Sequence, residues 1–121
     1  LERLCMFVQG KNNVFDLDWN NDGVKYKEVF FQAEKEFSAY NFEHANTETL
    51  LKNFEFAEAE CKSLLEKKLA LPAYDQCLKA SHIFNLLDAR GVIGVAERTG
   101  YINRIRDLAK GSGTAWLNTQ V

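Results

Sequence analysis

The chain has 121 residues, of which 46% are hydrophobic and 26% charged, and its formal net charge is −2. This length and composition are typical of one folded domain, or part of one, with a hydrophobic core, and they exclude an intrinsically disordered chain. The near balance of charge predicts no general attraction to nucleic acid or membrane, and no apolar run approaches the roughly 20 residues that span a bilayer.

The beginning of the chain predicts a short helix followed by a connection. Residues 1–9 place apolar side chains at helical spacing, and Gly10 follows as a C-terminal cap. Residues 11–25 are rich in Asn, Asp and Gly, which favours turns. The aspartates of this segment lack the spacing of an EF-hand, so we predict no calcium site. Because the chain begins without methionine, N-cap or signal-peptide pattern, we expect it to be part of a longer protein.

Residues 26–45 form the first long amphipathic pattern. We predict that its apolar stripe is buried. The stripe consists of Tyr26, Val29, Phe30, Ala33, Phe37 and Tyr40. Phe31 and Phe42 lie off the stripe and therefore predict a second contact surface.

The second long helix is predicted at residues 47–69, with Asn46 as its N-cap. Its apolar stripe consists of Leu50, Leu51, Phe54, Ala57, Cys61, Leu64 and Leu65. On the outer face, Glu58 and Lys62 form a favourable i,i+4 pair. We predict no acid–base site among the glutamates of this face, because charges on a helix surface remain in water.

The third long helix begins near Pro72, which suits a first helical turn. Its predicted apolar stripe runs through Tyr74, Cys77, Leu78, Ser81, Phe84 or Asn85, and Leu87 or Asp88. His82 lies one position off this stripe. We predict a partly buried structural histidine there, because no serine or cysteine nucleophile is evident beside it.

The three cysteines are Cys5, Cys61 and Cys77, and they contain no CxxC pair. The cysteines and the two histidines do not have the ligand spacing of a zinc site, so no zinc site, and no metal site of any kind, is predicted. Each cysteine occupies an apolar helical position. We therefore expect reduced core thiols of a cytosolic protein.

The last helix is predicted from about Val95, with Ile102, Ile105, Leu108 and Ala109 facing inward. Gly111, Ser112 and Gly113 should weaken or end it, because each glycine costs a helix roughly 1 kcal/mol relative to alanine. No segment has the alternating pattern of a strand. The sequence therefore predicts an all-α fold, a small helical bundle of about four main helices plus a short leading helix.

The chain's arginines concentrate near this last helix, at Arg90, Arg98, Arg104 and Arg106. Residues 16–66 hold twelve acids and five bases, a net charge of −7, whereas residues 91–121 hold four bases and two acids, a net charge of +2. Such asymmetry is typical of solvated helix faces, and it also fits a helix that faces an acidic subunit or RNA. We favour ion pairs within the protein, with Glu97 and Asp107 as partners.

Nearly the whole chain, in order, resembles the C-terminal region of the alpha subunit of bacterial glycyl-tRNA synthetase of the α2β2 kind. The resemblance is carried by LERLCMFVQG, VFDLDW, YKEVFFQAEKEFSAYNFEHA, LPAYDQCLKASHIFNLLDARG and VAERTGYINRIRDLAK. It implies a class II aminoacyl-tRNA synthetase, a cytoplasmic ligase that uses ATP and Mg²⁺ to join glycine to tRNA-Gly. It also implies a beta subunit, which supplies most of the tRNA recognition, and a second alpha subunit as partners.

The resemblance also assigns roles within the chain. Residues 1–22 would contain the end of the catalytic domain, beginning in its third motif, and residues 23–121 would form a C-terminal helical domain. Arg3 would contact ATP, with Glu2 beside it. Arg98, Arg104 and Arg106 are candidates for contacts with tRNA or another subunit.

No catalytic residue and no bound cofactor are expected in this part of the enzyme alone, because the first two motifs and the catalytic sheet are absent from it. We therefore expect it to serve subunit assembly and to support the catalytic domain or tRNA. The alternative that the residues leave open is a stand-alone helical interaction module without catalysis.

Overall fold

The computed structural model describes residues 1–120, which contain five α-helices and no strand. The helices are α1 Glu2–Gln9, α2 Tyr26–Ala39, α3 Thr47–Glu66, α4 Ala70–Ala89 and α5 Val95–Asn118. A 3-10 helix, Val14–Asp16, precedes α2, and a π-helical turn, Tyr40–His44, follows it. The prediction of an all-α bundle with four main helices and a short leading one is confirmed.

The chain packs as two compact units, Leu1–His44 and the residues from Ala45 onward. This division describes packing. The boundary at residues 22 and 23, where a catalytic domain would end, stays a prediction. None of the helices described in residues 1–120 is both long and apolar enough to cross a membrane.

In the first unit, the connection between α1 and α2 is fixed by contacts of its own residues. Gly10 ends α1 in the left-handed conformation, with φ of 65°, as the sequence predicted. The Gln9 side chain then accepts a hydrogen bond from the Asp18 N–H at 2.8 Å and donates one to the Asp18 carbonyl at 3.2 Å. The Asp18 carboxylate pairs with the Lys25 ammonium. Leu17, between these contacts, is buried.

Aromatic rings join the connection to the start of α2. Phe15 packs edge-on against Phe31 with ring centroids 5.1 Å apart, and Trp19 packs against Phe30 at 5.3 Å. Tyr26 lies 4.9 Å from Phe30 on the same helix. These offset and edge-to-face arrangements are the favourable ones for aromatic pairs.

The prediction that the α2 stripe is buried is wrong. No residue of α2 is buried, and Phe37 is 65% exposed. Within the first unit α2 packs against the 3-10 helix and its own π-helical turn, so rings cover only its first two turns. A periodic apolar pattern indicates that one face of a helix can be buried. Actual burial also requires a neighbouring element that contacts the whole face.

The second unit has one core between α3, α4 and α5. Asn46 caps α3 as predicted, because its side-chain oxygen accepts the Thr49 N–H at 3.1 Å. Lys68, with φ of 62°, turns the chain between α3 and α4. Four residues of the predicted α3 stripe are buried: Leu50, Phe54, Ala57 and Cys61. The other three, Leu51, Leu64 and Leu65, are partly buried against the core, which confirms that stripe.

The predicted stripe of α4 needs a correction. Cys77, Phe84 and Leu87 are buried as expected, but Tyr74 and Leu78 are exposed. The remaining buried positions are Ala70, Ala73, Ala80 and Leu86. The buried face is thus rich in alanine, which lets the neighbouring helices approach α4 closely. The sequence prediction had favoured the larger hydrophobic side chains of Tyr74 and Leu78, which lie on the adjacent face of α4.

Of the two outcomes predicted for residues 111–113, an end of α5 is wrong, because α5 continues to Asn118, whereas a weaker helix there stays a prediction. Ser112 is buried, its hydroxyl donates to the Leu108 carbonyl at 2.8 Å, and it lies 4.0 Å from the Cys61 thiol. A Cβ on Gly111 would lie 2.9 Å from the Leu65 side chain. Gly111 and Ser112 thus lie where α5 passes close to α3, and this packing offsets their low helix propensity.

Candidate functional site

Glu2 and Arg3 lie in the first turn of α1, and both are exposed. A carboxylate is favourable at this end of a helix, where the backbone N–H groups are unpaired. The Glu2 carboxylate also lies 3.6 Å from the Leu1 amino group. Arg3 makes no hydrogen bond or ion pair with the part of the chain that the structure describes. Its guanidinium is thus available for an anionic ligand, including a phosphate.

Arg104 forms the most elaborate polar contact of the second unit. Its guanidinium, on α5, donates two hydrogen bonds to the Glu58 carboxylate on α3, from Nη2 at 2.7 Å and from Nε at 2.8 Å. The guanidinium also lies 4.9 Å from the Phe54 ring centroid and 5.0 Å from that of Tyr101. Arg104 therefore combines a bidentate ion pair with two cation–π contacts.

The surroundings of this pair alter its electrostatics. The Glu58 side chain is 13% exposed and that of Arg104 is 39% exposed, so water screens the pair only in part. The hydrogen bonds from Arg104 lower the pKa of Glu58, against the opposing effect of burial. The same hydrogen bonds raise the pKa of Arg104. Glu58 is consequently an ionised partner of Arg104 and has no proton to donate near neutral pH.

The other two candidate arginines differ from Arg104. Arg98 contacts the Asp88 carboxylate of α4 at 3.2 Å, in an exposed ion pair. Arg106 is exposed and has no hydrogen bond or ion pair within residues 1–120. The three side chains thus form no common anion site. Arg104 joins α5 to α3, Arg98 joins α5 to α4, and Arg106 faces solvent.

Two expectations about charge pairs are wrong, and a third, the Glu58–Lys62 pair, is present only as the smaller of two attractions. Arg98 and Arg104 do not use Glu97 or Asp107, the acids next to them in sequence. Glu58, expected to be exposed, is largely covered and pairs with Arg104, and the positive charge of Lys62 makes a smaller contribution to lowering the pKa of Glu58. The actual pairs join different helices, because the crossing of α5 over α3 and α4 brings these residues together. Spacing within one helix carried no signal for them.

Arg90, at the end of α4, fixes the start of the second unit. Its guanidinium donates to the Ala45 carbonyl at 2.9 Å, 45 residues away in sequence. Ala45 is itself buried. Arg90 therefore has a structural contact that the sequence did not predict.

The cysteines and histidines differ in exposure. Cys61 and Cys77 are buried free thiols, as expected, and burial raises the pKa of both. Cys5 is only half-buried. His82 is exposed, so the prediction of a partly buried histidine is wrong. Within the described residues no three His, Cys, Asp or Glu side chains come together as metal ligands.

A comparison with known families gives the assignment of the chain. The family described as glycyl-tRNA synthetase alpha subunit matches residues 1–121, the full length of the sequence. The match includes α1 with Glu2 and Arg3, and it includes all three helices of the core around Arg104. It agrees with the resemblance carried by the sequence segments. The chain belongs to the glycyl-tRNA synthetase alpha subunit family.

Proposed function

We propose that this chain is the helical, C-terminal part of the alpha subunit of a class II glycyl-tRNA synthetase. The parent enzyme attaches glycine to tRNA-Gly with ATP and Mg²⁺. The observation that carries the proposal is the family match over residues 1–121. The purely helical structure of residues 1–120 supports it, because a class II catalytic domain is built on an antiparallel sheet that would lie elsewhere in the alpha subunit.

Within this proposal, residues 1–22 contain the end of the catalytic domain, and Arg3 contacts ATP. The exposed, unpaired guanidinium of Arg3 supports that role, because arginine can neutralise phosphate oxygens and stack on a flat base. Glu2 precedes it on the same turn. The 121-residue chain alone would bind neither ATP nor Mg²⁺ and would carry no catalytic residue.

The helical part, we propose, serves assembly. Its partners are the beta subunit and a second alpha subunit, in a cytoplasmic α2β2 heterotetramer that binds tRNA-Gly. Arg98 and Arg104 act as internal supports, which their ion pairs with Asp88 and Glu58 favour. Arg106 remains available for another molecule.

ATP–pyrophosphate exchange with glycine, measured on full-length alpha subunit assembled with beta subunit, tests the role of Arg3. Arg3→Gln should lower kcat/KM for ATP at least tenfold, since a charge-assisted contact to phosphate is worth about 1.5–3 kcal/mol. Lys52→Gln, an exposed change on α3, is the control and should change it less than twofold. The 121-residue chain alone should show no exchange.

Two results would contradict the proposal. Exchange by the Arg3→Gln enzyme at the wild-type rate would remove Arg3 from the ATP site. Failure of the wild-type alpha–beta complex to charge tRNA-Gly with glycine would remove the proposed activity.

A further inference from the structure

The side-chain amide of Gln9, the last residue of α1, binds both backbone groups of one residue in the connection. Its oxygen accepts a hydrogen bond from the Asp18 N–H at 2.8 Å, and its nitrogen donates one to the Asp18 carbonyl at 3.2 Å. A single hydrogen bond would let the amide pivot, whereas two fix both its position and its orientation. Gln9 thus attaches the end of α1 to a residue nine positions further along the chain.

The backbone of Asp18 can receive these two hydrogen bonds because of its place in a short antiparallel bridge. Asp18 lies opposite Lys25, and the two hydrogen bonds of the bridge, each 2.8 Å long, are made by the residues on either side of this pair. The N–H and carbonyl of Asp18 therefore point away from Lys25, as in every non-hydrogen-bonded pair of an antiparallel ladder. The Gln9 amide takes the place that a neighbouring strand would have at this edge.

Asp18 is itself held from the side of α2. Its carboxylate pairs with the Lys25 ammonium, whose hydrogen bond lowers the pKa of Asp18. The Lys25 N–H in turn donates to the Glu28 carboxylate at 2.6 Å, in the capping box that begins α2. Through Asp18, Gln9 consequently joins α1 to the first turn of α2.

The orientation of α1 determines where Arg3 lies. No residue of α1 is buried, so within the first unit no hydrophobic core fixes this helix. Gln9 and Arg3 belong to the same eight-residue helix and lie about 9 Å apart along its axis. A short helix moves as a rigid body, so a pivot at Gln9 displaces Arg3. Misplacement of a substrate-contacting group by about 1 Å can lower a rate on the order of 100-fold.

We propose that Gln9 is a positioning residue for the reaction of the parent enzyme. Its two hydrogen bonds to Asp18 orient α1, and α1 holds the Arg3 guanidinium where ATP binds. Gln9 acts through Arg3 and makes no substrate contact of its own, so its effect concerns ATP and leaves the binding of glycine unchanged. The inference rests on the proposed function, which makes Arg3 the ATP contact.

The test uses Gln9→Met in full-length alpha subunit assembled with beta subunit. Methionine keeps the length of the side chain and removes both hydrogen-bonding groups of the amide. In ATP–pyrophosphate exchange, kcat/KM for ATP should fall about fivefold, whereas KM for glycine should change less than twofold. Gln32→Met is the matched control, because Gln32 is exposed on α2 and has no hydrogen bond within residues 1–120. It should change either constant less than twofold.

The same substitution in the Arg3→Gln enzyme separates positioning from general structural support. If Gln9 acts only through Arg3, adding Gln9→Met to Arg3→Gln should lower kcat/KM for ATP less than twofold further. The contact that Gln9 orients is already absent from that enzyme, so the two changes should not be additive.

The outcomes separate this inference from the proposed function. Exchange by the Gln9→Met enzyme at the wild-type rate, or an equal loss with and without Arg3, overturns the positioning role while the proposed function stands. A rise in KM for glycine as large as the effect on ATP also overturns it, because that result indicates a general loss of structure. If Arg3→Gln itself exchanges at the wild-type rate, the ATP contact of Arg3 fails, and the positioning role fails with it.

Discussion

At the scale of single residues, Arg104 has the most contacts of the candidate arginines. It combines a bidentate ion pair to Glu58 with the faces of two aromatic rings. Isolated surface ion pairs contribute little because water and salt screen them. This one is partly shielded and its geometry is fixed by packing, so we expect a measurable contribution to stability.

A double-mutant cycle tests this contribution. Arg104→Met and Glu58→Gln should show a coupling free energy of about 1–2 kcal/mol in urea unfolding near pH 7. The exposed pair Arg98–Asp88, treated with Arg98→Met and Asp88→Asn, is the control and should give less than about 1 kcal/mol. Equal coupling in the two cycles would show that partial burial adds nothing to the Arg104 pair.

The same pair predicts a pH dependence. Because the folded state lowers the pKa of Glu58, the stabilisation is fully present above the unfolded pKa of glutamate, about 4.3. It is lost as the pH falls through the lower folded value. The difference in unfolding free energy between wild type and Glu58→Gln should thus be constant from about pH 6 to 8 and shrink below about pH 4. A difference that stays constant at low pH would contradict it.

At the scale of one element, α5 holds three glycines with different surroundings. Gly100 and Gly113 face open space, whereas Gly111 faces Leu65 of α3. Helix propensity alone would treat all three alike. The structure instead separates a glycine in close contact with another helix from two glycines that have no neighbour within 4 Å.

Alanine substitutions should reveal this difference. Gly100→Ala and Gly113→Ala should each raise the unfolding free energy by about 0.5–1 kcal/mol, because alanine is the better helix former. Gly111→Ala should gain less, since the Leu65 methyl group must move away from the new Cβ. Chemical denaturation of the three variants checks the order. Equal gains at all three positions would mean that α5 does not pass close to α3 there.

At the scale of the whole molecule, the two units differ in how much they bury. The core cluster lies entirely in the unit that starts at Ala45. In Leu1–His44 only Leu17 is buried, and contacts between partly exposed rings hold the connection on α2. Local opening costs less where few apolar contacts are lost, so the first unit should be the less stable one in the isolated chain.

Hydrogen exchange followed by mass spectrometry checks this difference. In the isolated 121-residue chain, amides of α2 should exchange at least tenfold faster than those in the middle of α3 and α4, because α2 has no buried residue. Comparable protection of α2 and α3 would contradict the prediction. It would show that ring contacts alone stabilise the first unit as well as the core stabilises the second.

Local signals in the sequence determined the class of the fold and the ends of most helices. The caps at Gly10 and Asn46 and the apolar stripe of α3 depend on residues within a few positions of each other, and all are observed. The order of the matching segments likewise determined the family. These features need no knowledge of how the helices pack.

Only the tertiary structure decided which faces and charges meet. The Arg104–Glu58 pair joins residues 46 apart, and the alanine-rich face of α4 is buried in place of its tyrosine. Likewise, α5 continues through Gly111, where it passes close to Leu65 of another helix. Periodicity within one helix cannot identify these contacts, because the angle and distance at which two helices cross are properties of both.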